Sequence, residues 1–244
     1  KALRKLSGGA LYDPRPLEAA LKDSFGDMAV SEALTSFFIP ATDIKNFRPV
    51  WIEHVKGEAD ATPERWSSMK MRDATRAATS MPTLFPAQYY ETTPNPALPH
   101  VRHRHALIDG GFFGGNMMRH LLTKARALAP PGAEIVIVHV GTGNADSRLS
   151  PEEFNNLSAV GLMSKTNGSV LMSLVTKMGL LDTQNDVKSE IGKNLFSFDT
   201  ALGGQDAQDL ALASADDARP ENLKRLEEIA EGILRDRAAE LQRL

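Results

Sequence analysis

The chain contains no cysteine, which removes disulfides, thiolate zinc sites and a cysteine nucleophile together. It has no uninterrupted apolar run of the ~20 residues that a bilayer-spanning helix needs. It also lacks a surplus of basic residues. Lys and Arg total 28 against 31 Asp and Glu, a net charge of −3, whereas a nucleic-acid binder carries a basic excess, so no nucleic-acid partner is expected. The opening Lys1-Ala2-Leu3-Arg4-Lys5 is basic but runs into Ser7-Gly8-Gly9 with no apolar core, unlike a secretory signal. The first residue is Lys rather than Met, which leads us to expect a chain that is incomplete at its N-terminus. The absence of cysteine accords with the cytoplasmic location we expect, an exported bacterial protein being the alternative.

What is present is ordinary globular material: 42% hydrophobic and 24% charged residues over 244 positions, enough to bury a core without a metal or disulfide staple. Leu17, Ala20, Leu21 and Phe25 share one helical face over Pro16–Phe25, and Gly26 stands ready to end that helix. Phe37–Thr42 and Pro49–Val55 read as strands, Pro40 requiring an edge or a bulge. Lys70–Ser80 is helical in composition and stops before Pro82. Gln88–Arg104, with Pro94, Pro96 and Pro99, reads as a loop, followed by a strand over His105–Asp109. A helix over Asn116–Leu128 and the β-branched run Ile135–Val140 then complete a strand–helix–strand unit, expected to pair in parallel within a covered sheet. Pro151–Leu181 reads as helical with a break near Asn167-Gly168, and Glu221–Leu244 as one long amphipathic helix beginning at Pro220. The expected class is α/β, in a single domain over residues 1–244.

Four features bear on chemistry. Asp109-Gly110-Gly111 ends a strand and precedes a helix, the place where α/β sheets collect ligands. A carboxylate there serves as a base or orients a nucleophile. Asp-Gly is equally a common turn dipeptide, and spacing leaves both readings open. Gly141-Thr142-Gly143-Asn144 follows a strand and has the composition of a phosphate cradle, but it lacks both the third dinucleotide-type glycine and a Walker Lys-Ser/Thr. His100, His103 and His105 bunch with Arg102 and Arg104; the interleaved cations repel a metal ion, so the group reads as a solvated basic loop open to anionic headgroups. The stretch containing Leu162, Met163, Val170, Leu171, Met172, Leu174, Val175, Met178, Leu180 and Leu181 is apolar and Met-rich, either core or an adaptable surface.

Taken together, ordered segments resemble the patatin-like phospholipase family, in particular its bacterial branch. They are Tyr12-Asp13 with Leu17, Leu21 and Phe25-Gly26-Asp27, then Ile39-Pro40-Ala41-Thr42-Asp43. The small-residue helix Ala74-Thr75-Arg76-Ala77-Ala78-Thr79-Ser80 follows, with its Met81-Pro82-Thr83-Leu84-Phe85-Pro86 turn. Leu107-Ile108-Asp109-Gly110-Gly111 through Asn116, Ile137–Gly143, and Asp216-Asp217 with Pro220-Glu221-Asn222-Leu223 complete the set.

The resemblance implies a three-layer α/β/α fold with a mostly parallel central sheet. It also implies a Ser–Asp dyad acting on phospholipid or other acyl-lipid esters, with Asp109 as the base and Gly110 and Gly111 supporting it. It calls for no cofactor and no metal, and it admits peripheral membrane contact; oligomeric state is not legible. The pattern departs in one respect that matters: no serine stands in G-x-S-x-G, and no G-G-G-x-R-G loop is present. The chain therefore holds the aspartate half of a dyad and is expected to be inactive alone. A non-catalytic or signal-regulated binding protein of the same fold is the alternative. Met117 where the family tends to have Pro, and Arg219 in place of a capping Ser, are smaller departures, the latter weakening a helix start by ~1 kcal/mol.

Overall fold

A computed structural model describes residues 9–57, 66–82, 84–93, 100–111, 117–145, 150–156, 170–202 and 217–244. It falls into two compact units, residues 1–117 and 118–244. In the first, helix α1 (Arg15–Phe25) ends at Gly26, whose φ of +55° a residue with a side chain rarely adopts. Four strands follow: β1 (Phe37–Asp43), β2 (Arg48–His54), β3 (Gln88–Thr92) and β4 (His103–Asp109), with helix α2 (Met71–Ala78) between β2 and β3.

The strands form one sheet in the order β2-β1-β4-β3, and every pairing in it is antiparallel. Here the expectation of a mostly parallel central sheet is corrected. The turn Ile44–Phe47 joining β1 to β2, and the connection from Thr92 to His103, are both shorter than the dozen or so residues that a parallel crossover requires. Ala41, Val50, Ile52 and Leu107 are buried in the same core as Ala74 and Ala77 of α2, closed by Val30, Trp66 and Met69. The alanines let the helix lie close to the sheet.

Strand β3 lies inside the stretch expected to be a loop. Its exposure alternates, with Tyr89 out and Tyr90 packed on the core. That short alternation was outweighed by the neighbouring prolines at 94, 96 and 99, which lie outside the described residues. Pro40 sits within β1 opposite Trp51, one position beyond the β1–β4 ladder, which begins at Ala41 opposite Asp109. A proline is tolerated where one ladder has ended.

The second unit contains α3 (Met117–Leu128), β5 (Ile137–Val140), β6 (Asn144–Ala145), α4 (Pro151–Asn155), α5 (Val170–Ile191), β7 (Leu195–Phe198), β8 (Ala201–Leu202), α6 (Pro220–Asp236) and α7 (Ala238–Leu241). Strand β5 pairs in parallel with β7, and β6 with β8. The parallel neighbour of β5 is thus reached through α5, not through α3 as expected. A hydrophobic run announces a strand but not its partner. Val136, Val138 and Val140 are exposed, so among the described residues this run is covered on one face only.

Met118, Leu122, Ile137 and Val187 form the buried centre of this unit. Of the Met-rich stretch, Leu162 and Met163 lie outside the described residues, and Met178 and Leu181 are exposed. The expected single C-terminal helix breaks at Arg237, whose guanidinium stacks over the Phe198 ring at 5.5 Å and donates to the Ser197 carbonyl. At the start of α6 Arg219 makes no side-chain cap; the Asn222 amide donates to the Asp217 carbonyl at 2.8 Å and ties the first turn to the residues before it.

Candidate active site

Asp109 is the last residue of β4, and its backbone is tied on both sides. Its N–H donates to the Ser80 carbonyl at 3.1 Å, and its carbonyl accepts the Thr42 hydroxyl at 3.3 Å. The side chain is half-buried. Oδ1 accepts the Gly111 N–H at 2.7 Å; among the described residues Asp109 takes part in no ion pair, and Oδ2 accepts no hydrogen bond. Burial pushes the carboxyl above its ordinary range, and the Gly111 donor opposes that without reversing it.

Both glycines after Asp109 have steric reasons. A Cβ on Gly110 would stand 2.6 Å from the backbone carbon and oxygen of Pro40, and one on Gly111 would stand 3.0 Å from Asp109 Oδ1. The proline of β1 and the glycine after β4 therefore form one close approach directly beyond Asp109, at the end of β4. Gly115 and Asn116, which extend the motif, lie outside the described residues.

Ser80 is anchored in turn by Arg76, a residue the sequence showed only as part of a motif. Arg76 is 2% exposed. Its guanidinium donates to Ser80 Oγ at 2.5 Å and to the Pro86 carbonyl at 3.2 Å, reaches Glu18 at 3.3 Å, and lies 5.4 Å over the Phe85 ring. The Ser80 hydroxyl returns a bond to the Arg76 carbonyl at 2.8 Å. Helix α2, the turn after it and the end of β4 are thereby fastened at one point. The available signal was a lone cation four residues before a serine in a run of small residues.

A second polar cluster lies along the same sheet. His105 is buried, not part of a solvated loop as expected, while His100, Arg102, His103 and Arg104 are exposed. The His105 Nδ1 lies 2.8 Å from Asp43 Oδ2, and its Nε2 lies 2.9 Å from Thr92 Oγ1. The three histidines were grouped because they are near in sequence. Alternation puts His103 and His105 on the same face of β4, and only His105 is covered there, by Trp66, whose ring centre is 5.0 Å away.

Asp43 also accepts from Asn46 Nδ2 at 2.6 Å and from the Lys45, Asn46 and Ala106 backbones at 3.1–3.3 Å. Burial alone would raise its carboxyl. The amide of Asn46, the His105 ring and the backbone donors outweigh burial and hold it below the ordinary range.

In the second unit, Gly141-Thr142-Gly143 does not form an anion cradle. The Asp199 carboxylate accepts the Gly143 N–H at 3.0 Å and the Thr200 N–H at 2.9 Å. A Cβ on Gly141 would stand 2.1 Å from Asp199 Cγ. A negative charge already occupies the place a phosphate would need.

The family model for patatin-like phospholipases matches residues 1–122, half of the chain, and this stretch contains the four-stranded sheet, α2 and Asp109-Gly110-Gly111. Patatin-like protein 2 of Oryza sativa subsp. indica is 30% identical over 112 residues, covering 46% of this chain and 26% of its own length. Patatin-like protein 3 of Arabidopsis thaliana is 23% identical over 260 residues, covering 96% and 56%. Patatin group A-2 of Solanum tuberosum is 31% identical over 102 residues, covering 42% and 24%. The chain thus spans between a quarter and just over half of the length of these curated relatives. With the motifs in family order and the family model covering the whole of the first unit, the chain belongs to the patatin-like phospholipase family.

Proposed function

We propose that this chain carries the general base of a lipid acyl hydrolase of phospholipase A or lysophospholipase type, with Asp109 as the catalytic aspartate and Gly110 and Gly111 setting its position. The observation that carries this reading is the state of the Asp109 carboxyl: it sits at a strand end, is raised by burial, and among the described residues is steadied on one oxygen only. A serine hydroxyl is a poor nucleophile until a neighbouring base takes its proton. In the proposed reaction, Asp109 Oδ2 accepts the serine proton as the serine oxygen attacks the ester carbonyl. The proton then passes to the departing alcohol, leaving an acyl-serine; water, deprotonated by the same carboxylate, attacks that acyl carbon, and the proton returns to the serine oxygen as the fatty acid leaves.

The tetrahedral intermediates need preorganised N–H donors, loss of one costing about 10²–10³ in rate. No serine of these 244 residues stands in G-x-S-x-G, so the dyad as proposed takes its serine, and those donors, from polypeptide outside them. Placement in a bacterial branch belongs to the same proposal and rests on the motif pattern; the relatives above are plant proteins.

The test uses the product of the full reading frame that encodes these residues, assayed on a short-chain acyl ester and on phospholipid. Asp109→Asn should lower kcat about 10²-fold or more with the fold intact by circular dichroism. Undiminished activity in that variant overturns the assignment. A reading frame without a G-x-S-x-G serine, and a product without hydrolysis, favours the non-catalytic binding protein instead.

A further inference from the structure

The turn between β1 and β2 holds an unusual residue. Phe47 has a φ of +50°, the single positive value among the described non-glycine residues, and is 94% exposed. A bulky residue in the left-handed region is strained, and glycine or asparagine would serve better. An aromatic ring normally offsets such strain by packing. This ring packs on almost nothing, so the fold gains nothing from it. Strain of this kind, held in place without a structural return, points to a task for the side chain.

The turn is well braced. Asp43 accepts the Lys45 and Asn46 N–H groups and the Asn46 side-chain amide, and the Ile44 N–H reaches the Ala106 carbonyl at 2.9 Å. Ile44 is also exposed, at 48%.

The charges around this tip oppose the net charge of the chain. Asn46 Nδ2 lies 3.4 Å from the Arg104 carbonyl, placing the turn beside the start of β4. Lys45 is exposed there, as are the side chains of Arg104 and Arg102, at 72% and 61%. Glu91 is shared between the two arginines at 2.7 and 3.7 Å. Two apolar side chains standing out of a basic surround, on a chain of net charge −3, complement a surface that is negatively charged outside and apolar beneath.

We propose that the β1–β2 tip is a membrane-contact finger: Phe47 and Ile44 enter the headgroup–acyl boundary of an anionic bilayer, and Lys45, Arg102 and Arg104 engage its phosphates. The finger does not depend on the hydrolase reading. Asp109 stands opposite Ala41, three residues along β1 from Ile44 and so roughly 10 Å from it at ~3.3 Å per strand residue; the anchor and the carboxylate share no residue.

The test is co-sedimentation of the product of the full reading frame that encodes these residues with vesicles of phosphatidylcholine alone or mixed equally with phosphatidylglycerol, at low and high salt. We expect binding to the anionic vesicles only, weakened by salt. Phe47→Gly should reduce that binding about tenfold or more, as expected for withdrawing a buried ring, while its thermal midpoint holds or rises because the strain is gone. Lys45→Gln combined with Arg104→Gln should weaken binding to anionic vesicles and leave the fold unchanged. Phe47→Trp should bind and show a blue-shifted emission that brominated lipid quenches. Equal binding by wild type and Phe47→Gly, equal binding to neutral vesicles, or no binding at low salt overturns the proposal. So does Phe47-dependent self-association without vesicles, which would assign the tip to a second copy of the chain.

Discussion

Asp43 and Asp109 end neighbouring strands of one sheet, β1 and β4, and point to opposite fates for a carboxylate. Asp43 is fully buried and accepts five hydrogen bonds from Lys45, Asn46, His105 and Ala106. These donors favour its ionised form more than burial opposes it. Asp109 is only half-buried, yet among the described residues it receives a single donor, and burial prevails. Exposure alone therefore does not set a carboxylate's chemistry; burial and the donors aimed at it oppose each other, and their balance does. A saturated carboxylate is spent on structure, and an under-supplied one at a sheet's rim keeps its capacity to take a proton.

The sharpest way to break this comparison is to remove the saturated member. Asp43→Ala leaves His105 and several backbone donors unpaired in the core and should cost about 3–5 kcal/mol, as for other broken buried pairs, read as a lower urea midpoint. A loss under about 1 kcal/mol would mean that the donors find water or one another, and Asp43 would not be the structural carboxylate. Next in size is Gly110→Ala. The added methyl meets the Pro40 backbone at 2.6 Å and should cost about 1–3 kcal/mol as an overpacked contact, whereas Gly26→Ala, with nothing near its Cβ, tests the strain of a positive φ alone.

The smallest effect distinguishes the two carboxyls by sign. Asp109 has a raised folded-state pKa, so its ionisation costs stability as pH rises through that value. Asp109→Asn should therefore gain on wild type in thermal midpoint above the ordinary carboxylate range of ~4 and match it below. Asp43 has a lowered folded-state pKa, so its contribution is present above ~4 and is lost as pH falls through the folded value; the deficit of Asp43→Ala should shrink in acid. Midpoint differences with the same pH slope for both variants would erase the distinction.

Much of the local structure was legible because it follows from short-range chemistry. Helix α1 with its Gly26 stop, strands β1 and β2 and helix α2 lie within a residue or two of where periodicity and punctuation put them. The errors share a cause. Strand β3 was hidden by prolines farther along, and the parallel neighbour of β5 proved to be β7, because nothing in a strand's own sequence names the strand it will pair with. At the candidate site, Asp109-Gly110-Gly111 stood out as a motif. The reason for Gly110 lies in Pro40, far away in sequence. The tie from Asp109 through Ser80 to Arg76 could not be foreseen from any one segment.

What the amino acids settled by themselves was several elements of the first unit, the absence of thiol chemistry and the family motifs, since propensity, turn residues and composition act over a few positions. Tertiary structure alone decided which carboxylate was saturated and which, among the described residues, was left with one donor, which histidine turned inward, and which aromatic was left outside. Those outcomes depend on the solvent and hydrogen-bond donors around each group, and these are contributed by residues that only folding brings together.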